Sequence, residues 1–318
     1  RAGDSKKSDG HLQQPKAVRY QFIEAHRGEF EVQIMCDVLD VSRSGYYAWR
    51  TRSASQREMA DAEFIKEIKG IFDDSRQTYG YESIWRALQD EGILCGKHRV
   101  RRLMRQEGLV VKQTKRYKRT TKANPEHQPA PNLLQGDFEA ERPDAKWCAD
   151  ITYIPTQEGW LYLAVILDLF SRRIVGWAMN ARMTQQLVCT ALQMALRQRQ
   201  PVGPLIHHSD RGSQYTGSAF QELLADYGIT PSMSGRGNCY DNAPVESFFG
   251  TLKTELVNHA VYRTRQEAMT DIFFYIEGFY NRTRRHTTLG YLSPANFEAA
   301  YAPTMLLEKY DSVSINPG

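Results

Sequence analysis

The sequence predicts an α/β protein in which all-α helical modules precede a mixed five-stranded sheet with helices. Two observations support this class. Before residue 113, apolar residues recur every three or four positions, which predicts amphipathic helices. From Trp147 onward, short runs rich in β-branched and aromatic residues alternate with helical stretches, which is typical of a sheet covered by helices. A length of 318 residues allows two or three domains.

Composition excludes several classes of protein. With 41% hydrophobic and 25% charged residues, the chain has an ordinary globular composition and is not disordered throughout. The longest apolar run, Leu161 to Leu167, is far shorter than the roughly 20 residues that span a bilayer. The five cysteines form no C-x-x-C pair, which suits a reducing compartment. We therefore expect a cytoplasmic protein without a membrane partner.

The first sixteen residues are polar and charged, so they predict no signal peptide and are treated as an N-terminal tail or junction. A first helical segment follows over 17–56. Ser42 lies where an N-cap would start a new helix after a turn, which is the outline of a helix-turn-helix. Many helical hairpins of this kind bind nothing, so this pattern alone leaves DNA contact open.

A second helix-turn-helix-like domain is predicted over 57–113. It has three predicted helices, and the second and third are ended by Gly92 and Gly108 respectively. On the third helix Lys97, Arg101 and Arg105 fall at i, i+4 and i+8, which places them in one positive stripe opposite the apolar residues. Such a stripe can lie along phosphates, although a solvated surface is the more usual explanation of a charge run.

The density of positive charge favours the phosphate interpretation. Between Lys97 and Lys122 there are eleven Lys or Arg residues and one acid, Glu107. This surplus repels itself unless a polyanion is present, so nucleic acid is the expected partner. The basic residues expected to bind DNA in this stretch are Lys97, Arg99, Arg101, Arg102, Arg105, Lys112, Lys115, Arg116, Lys118 and Arg119.

A basic, proline-containing linker is expected over 114–142, a catalytic domain over 143–262, and a C-terminal helical segment and tail over 263–318. In the catalytic domain, the first three runs predict an antiparallel meander. The predicted strands are 147–154, 161–167, 173–178, 205–208 and 229–232, and the predicted helices are 185–197, 218–227 and 245–256.

Three carboxylates in this domain are candidates for a shared site. Asp150 lies inside the first strand, where an ionised carboxylate is costly without a partner. Asp210 follows the end of the fourth strand, and Glu246 lies near the start of the last helix. Singly, they suit an arginine pair, an Asx turn and a helix N-terminus respectively. Together, the order Asp, Asp, Glu with 35 residues between the last two indicates a site.

Other titratable residues are weaker candidates. Asp168, at the end of the second strand, is expected to be structural. His207 and His208 are adjacent on a strand and point to opposite faces, so they do not form a zinc set together.

Several motifs occur in the same order as in one known family: Tyr79-Gly80-Tyr81, His208-Ser209-Asp210-Arg211-Gly212, Cys239-Tyr240-Asp241-Asn242-Ala243, Glu246-Ser247-Phe248-Phe249 and Leu289-Gly290-Tyr291-Leu292-Ser293-Pro294. With them, the chain from about residue 18 to 300 resembles the transposases of the bacterial insertion-sequence-three group and, through them, retroviral integrases. The resemblance implies a ribonuclease-H-like core with a D,D(35)E triad, in which Asp150, Asp210 and Glu246 are the catalytic, metal-binding residues.

The resemblance also implies partners. These are the terminal inverted repeats of the element, a target DNA, and other copies of the chain in at least a dimer on paired ends, in the bacterial cytoplasm at the nucleoid. Hard divalent cations such as Mg²⁺ or Mn²⁺ prefer oxygen ligands, and two of them can serve an in-line displacement at phosphorus. We expect Asp150 to contact both ions, and Asp210 and Glu246 to contact one each.

Lys253 is the last predicted site residue. It lies two turns after Glu246, with Gly250 between them, so a DNA backbone can approach the helix closely. Two alternatives to a transposase remain open. A non-enzymatic DNA-binding regulator would use only the basic helices, and a structure-specific nuclease would cut DNA with the same carboxylates without joining a 3′ end to a new strand.

Overall fold

A computed structural model of the protein describes residues 14–53, 55–112, 130–235 and 242–301. The chain divides into two compact units, one up to Lys66 and one from Glu67 onward. The predicted DNA-binding residues Lys115, Arg116, Lys118 and Arg119 lie outside the described ranges. In those ranges, none of the helices combines the length and the apolarity that crossing a bilayer requires.

The first unit contains three short helices around a small core. They are α1 (Lys16–His26), α2 (Val32–Val38) and α3 (Arg43–Thr51). The buried residues that they share are Tyr20, Ile23, Met35, Cys36, Leu39 and Tyr46. The Ser42 hydroxyl accepts a hydrogen bond from the backbone N–H of Gly45 at 3.1 Å, which confirms the predicted N-cap. A fourth helix, α4 (Gln56–Asp74), contains the division between the two units.

The second unit begins with two amphipathic helices, α5 (Tyr81–Asp90) and α6 (Lys97–Gln106). Their apolar faces are buried through Ile84, Ala87, Leu88, Val100, Leu103 and Met104. Gly92 and Gly108 follow the helix ends with φ of +78° and +64°, a left-handed conformation that glycine adopts without strain. Both predicted helix ends are confirmed.

The sheet has five strands in the order β3-β2-β1-β4-β5. They are β1 (Lys146–Thr156), β2 (Gly159–Asp168), β3 (Ile174–Asn180), β4 (Ile206–Ser209) and β5 (Thr230–Met233). The first three form the predicted antiparallel meander, whereas β4 runs parallel to β1 and β5 parallel to β4. This mixed sheet with helices confirms the predicted α/β, ribonuclease-H-like class.

Helices pack against the sheet. They are α7 (Gln185–Arg199), the short α8 (Ser213–Thr216), α9 (Ser218–Asp226), α10 (Ala243–Glu255) and α11 (Arg265–Phe273). A Cβ on Gly176 of β3 would collide with the carbonyl oxygen of Ala191 on α7, so this strand and helix pack closer than a side chain would allow. The core beneath α7 includes Trp147, Ala149, Ile166, Val175, Leu192 and Ala195.

The C-terminal segment differs in detail from a single α-helix. The apolar spacing predicts helix through Phe279, but α11 ends at Phe273 and Phe274–Tyr280 is a π-helix. Ile276 and Tyr280 remain buried, because one widened turn changes the backbone hydrogen bonds more than it changes which side chains face the core. Residues 294–301 are again helical.

One tyrosine joins the start of the second unit to its C-terminal segment. The Tyr79 hydroxyl donates to the carbonyl oxygen of Thr283 at 2.9 Å and accepts from the backbone N–H of Arg285 at 2.8 Å. The Arg285 guanidinium in turn pairs with Asp90 of α5 at 2.7 Å. The helix pair α5–α6 is therefore attached to chain that follows about 200 residues later.

Candidate active site

Asp150 and Asp210 are brought together by the pairing of β1 with β4. The two strands run parallel, with Cys148 opposite His208. Asp150 lies two residues further along β1, and Asp210 lies two residues further along the chain, directly after the end of β4. Neighbouring strands are about 4.8 Å apart, so the two aspartates are adjacent. Both side chains are half-buried.

Each aspartate has one hydrogen bond from the backbone. Asp150 Oδ1 accepts from the N–H of Ile151 at 2.7 Å, and Asp210 Oδ1 accepts from the N–H of Gly212 at 2.9 Å. The second bond is the Asx turn that the structural alternative for Asp210 required. Asp210 forms this turn and still lies next to Asp150. The Asx turn and the proposed site are therefore compatible at the same side chain.

Glu246 is positioned by the start of α10. The Asn242 side chain, buried at the N-cap of this helix, donates from Nδ2 to the carbonyl oxygen of Ala149 at 3.1 Å. This bond places the first turn of α10, which contains Glu246, against β1 beside Asp150. The Glu246 side chain itself is exposed. Asn242 is not among the predicted site residues, because only the tertiary structure shows what its amide contacts.

The three carboxylates interact electrostatically. Burial and, after it, the negative charges of Asp210 and Glu246 raise the pKa of Asp150 to about 8. Burial also raises the pKa of Asp210. The Lys253 ammonium acts in the opposite direction on Asp150, and burial lowers the pKa of Lys253 while the Asp150 charge opposes that shift. Burial and the two nearby acids therefore disfavour the ionised form of Asp150 more than Lys253 favours it.

The donor set fits a hard divalent cation. Carboxylate oxygens are the ligands that such ions prefer, and a cation would favour the ionised form of Asp150, which burial and the neighbouring acids disfavour. Within the described ranges, no three His, Cys, Asp or Glu side chains already converge as a formed metal site. Residues 236–241, which directly precede α10 and include Asp241, lie outside those ranges.

Lys253 lies on α10 with Glu246, two helical turns further along. Its Nζ is 5.0 Å from the centroid of the Tyr153 ring, a cation–π distance. Between Glu246 and Lys253 on this helix, Gly250 is exposed and has open space where a side chain would begin.

The basic residues of α6 divide by exposure. Lys97, Arg101 and Arg105 are exposed and form one face of the helix, whereas Arg99 and Arg102 are half-buried. Lys112 is half-buried as well, and its ammonium lies 3.5 Å from the carbonyl oxygen of Glu255. The stripe at i, i+4 and i+8 is thus the part of this set that faces solvent.

Asp168 has the structural role that was expected. Its carboxylate accepts backbone hydrogen bonds from Asp144, Phe170 and Ser171, which closes the turn after β2. Both histidines of β4 are buried: His207 lies against the rings of Tyr215 and Phe220, and His208 contacts the Ser232 hydroxyl.

Known families match most of the second unit. The integrase core domain matches residues 140–239 and, in a second part, residues 246–300. The HTH-like domain matches residues 59–117, which include α5 and α6. The two integrase matches together contain Asp150, Asp210 and Glu246.

Similar proteins include a 31 kDa protein of insertion element IS600 from Shigella sonnei, 47% identical over 84% of this chain and 98% of that protein. The transposase InsF of insertion sequence IS3A from Escherichia coli is 42% identical over 88% of this chain and 98% of its own length.

Among solved structures, the HTLV-2 integrase catalytic core domain in complex with magnesium covers 50% of this chain and 99% of its own, with 17% identity and a TM-score of 0.40. A simian T-cell lymphotropic virus intasome chain covers 67% of this chain and 70% of its own, with 17% identity and a TM-score of 0.44. The insertion-sequence proteins are 42% and 47% identical to this chain over 98% of their own lengths. On this basis, the chain belongs to the IS3 family of transposases.

Proposed function

We propose that this transposase binds the ends of its insertion sequence and catalyses metal-dependent DNA cleavage and strand transfer with Asp150, Asp210 and Glu246 as a D,D(35)E triad. The observation that carries the proposal is the adjacency of the two aspartates on β1 and β4, beside the helix that bears Glu246. Burial and the charges of Asp210 and Glu246 raise the pKa of Asp150, and carboxyl groups perturbed in this way cluster at functional sites.

The proposed cofactor is Mg²⁺ or Mn²⁺, with two ions in each site. Asp150 would contact both, and Asp210 and Glu246 one each. When bound, the ions would supply activation of the attacking oxygen and stabilisation of the leaving oxygen at phosphorus. Water is the proposed nucleophile for cleavage and a DNA 3′-hydroxyl for strand transfer, so no side chain of the protein has to act as a nucleophile.

Other residues hold the DNA. Lys253 contributes a positive charge beside the carboxylates, where a backbone phosphate can approach over Gly250. The exposed stripe Lys97, Arg101 and Arg105 on α6 is suited to phosphates of the same DNA further from the site. Assembly of at least two copies on paired ends is part of the proposal.

The experiment is a strand-transfer assay with labelled ends of the element that encodes the chain, run with Mg²⁺ and with EDTA. D150N, D210N and E246Q are each expected to lower joining by more than about 10³-fold, equivalent to about 4 kcal/mol, while DNA binding in EDTA is kept. E222Q, a change at an exposed acid on α9, serves as the matched control and should join normally.

The two alternatives predict different outcomes. A structure-specific nuclease would produce cleaved ends that are never joined to a second DNA. A non-enzymatic regulator would keep all of its function in the three carboxylate variants. Either result would remove the proposed function.

A further inference from the structure

An exposed aromatic pair lies near the turn of the β1–β2 hairpin, next to Lys253. Tyr153 follows Asp150 by three residues on β1, and Trp160 is near the start of β2. Their ring centroids are 4.9 Å apart with planes at 76°, an edge-to-face arrangement. Tyr153 is 37% exposed and Trp160 is 50% exposed. Much of the indole surface therefore faces solvent, although the two rings contact each other.

The hairpin that carries these rings is held in place. The Arg265 guanidinium donates to the carbonyl oxygens of Trp160 at 3.0 Å and Glu158 at 2.6 Å. The backbone N–H of Gln157 donates to the carbonyl oxygen of Tyr262 at 3.0 Å. An exposed tryptophan on a hairpin fixed at several points is a prepared surface, because no loop has to be ordered when a ligand binds.

Charge selects the kind of ligand. Lys253 Nζ lies over the Tyr153 ring and comes from the helix that also carries Glu246. An aromatic face next to a fixed ammonium matches a nucleotide, which offers a flat base and a phosphate a short distance apart. An apolar protein surface would offer no negative charge to the Lys253 ammonium. Lys253, which contacts the Tyr153 ring and lies two turns after Glu246 on α10, connects the aromatic pair to the candidate site.

We propose that Trp160 is a stacking platform for an unpaired base of the DNA strand entering the active site, with Lys253 on the adjoining phosphate. Tyr153 is then a positioning residue that contacts both. This inference rests on the proposed function and deepens it: the strand reaches the carboxylates with at least one nucleotide unstacked from its duplex. Because every base has a flat face, the platform tolerates any sequence at that nucleotide.

The test uses the full-length protein in EDTA and a forked duplex with four unpaired nucleotides at its 3′ end, one of them 2-aminopurine. Stacking on an indole quenches this fluorophore, so wild-type protein is expected to quench it at one of the four positions. W160A should abolish the quenching and weaken binding about tenfold, the scale of one stacked base, and W160F should restore part of both. Y227A, at an exposed aromatic residue after α9, is the matched control and should behave like wild type.

A second arm removes the base instead of the ring. An abasic nucleotide at the quenched position should weaken binding by wild type about tenfold and should not weaken binding by W160A further. Equal losses in the two proteins, or quenching that survives in W160A, would overturn the proposal. Since W160A changes an exposed side chain, its unfolding midpoint should match wild type, which separates a lost contact from a lost fold.

The outcome is separable from that of the proposed function. E246Q should keep the quenching while it loses joining. If wild type joins DNA without quenching at any of the four positions, only the stacking proposal fails. If quenching is seen but no joining or cleavage occurs with Mg²⁺, the stacking site remains and the catalytic proposal fails.

Discussion

Buried acidic side chains occur in two settings within the second unit, and they differ in what lies next to them. Glu255 accepts from the Arg284 guanidinium at 2.7 Å and from the Tyr275 hydroxyl at 2.7 Å. Glu298 is held by Arg199, Arg173 and the Ser171 hydroxyl. Asp150, in contrast, has Asp210 as its neighbour. Acids that stabilise the fold accept hydrogen bonds from guanidinium groups or, at Asp168, from backbone N–H groups, whereas the two aspartates of the candidate site are adjacent to each other.

The pKa directions express the same contrast. Burial alone would raise the pKa of Glu298, but the hydrogen bonds and charge of Arg199, with Ser171 and Arg173, outweigh it and the pKa is lowered. At Asp150, burial and the neighbouring acids act in the same direction and the pKa rises to about 8. The second arrangement disfavours the ionised carboxylate, and it is the one on which the proposed cation site rests.

The largest expected effect tests whether activity and stability separate at Asp150. D150N should lose joining by more than about 10³-fold. In EDTA its free energy of unfolding should equal or exceed that of wild type, because a carboxyl disfavoured by burial and by Asp210 has been removed. Denaturant unfolding measured beside the strand-transfer assay checks both. A D150N protein that is clearly less stable than wild type would show that Asp150 belongs with the structural acids.

At Glu255, in contrast to Asp150, removal of the acid is expected to lower the free energy of unfolding. Its side chain is 8% exposed, and E255A leaves the Arg284 guanidinium, 19% exposed, without its carboxylate. We expect a loss of about 3 kcal/mol in the free energy of unfolding, measured by urea denaturation. E63A removes an acid that is 80% exposed and should change stability by less than about 0.5 kcal/mol. Equal stabilities for E255A and E63A would contradict the comparison.

Glu298 adds a pH dependence of defined sign. Because its pKa is lower in the folded protein than in the unfolded chain, the stabilisation is present above the unfolded pKa of about 4.3 and is lost as pH falls through the folded value. E298Q should therefore be less stable than wild type at pH 7 by about 2 kcal/mol, and the difference should shrink toward acid pH. Unfolding curves at pH 7, 5 and 4 measure it. A difference that grows as pH falls would refute the assignment.

The smallest effect concerns a contact without any ion pair. S42A removes the N-cap of α3 and should cost about 1 kcal/mol, and S42D should keep most of it because an aspartate accepts the same hydrogen bond from Gly45. Thermal unfolding of the two variants checks this. A larger loss in S42D than in S42A would show that the cap is not what stabilises the helix.

Much of the fold was predictable because local rules decided it. The N-cap at Ser42 and the helix ends at Gly92 and Gly108 follow from hydrogen-bonding groups and backbone freedom within a few residues. Every end of the five strands was predicted to within two residues, since β-branched runs are bounded by turns. The π-helix after Phe273 was not predicted, because a single widened turn leaves the apolar spacing almost unchanged.

The candidate site also has parts that local sequence predicts and parts that it does not. Residue type and spacing pointed to Asp150, Asp210 and Glu246 from the sequence. The parallel pairing of β1 with β4 that makes the aspartates adjacent is a long-range property and had no local pattern. Asn242 and the pair Tyr153–Trp160 were missed for the same reason, since a polar N-cap and aromatic residues on strands are common in sequences without any site.

The link from Tyr79 to Thr283 and Arg285 has a consequence for biosynthesis. A ribosome delivers the N-terminal partner of this contact first and must add about 200 further residues before the other partner exists. Until then α5 and α6 lack their attachment, and contacts of such long separation form late. Proteins interrupted before residue 283 would carry the basic helix without this anchor. A chain must therefore be translated through Arg285 before this attachment of α5 and α6 can form.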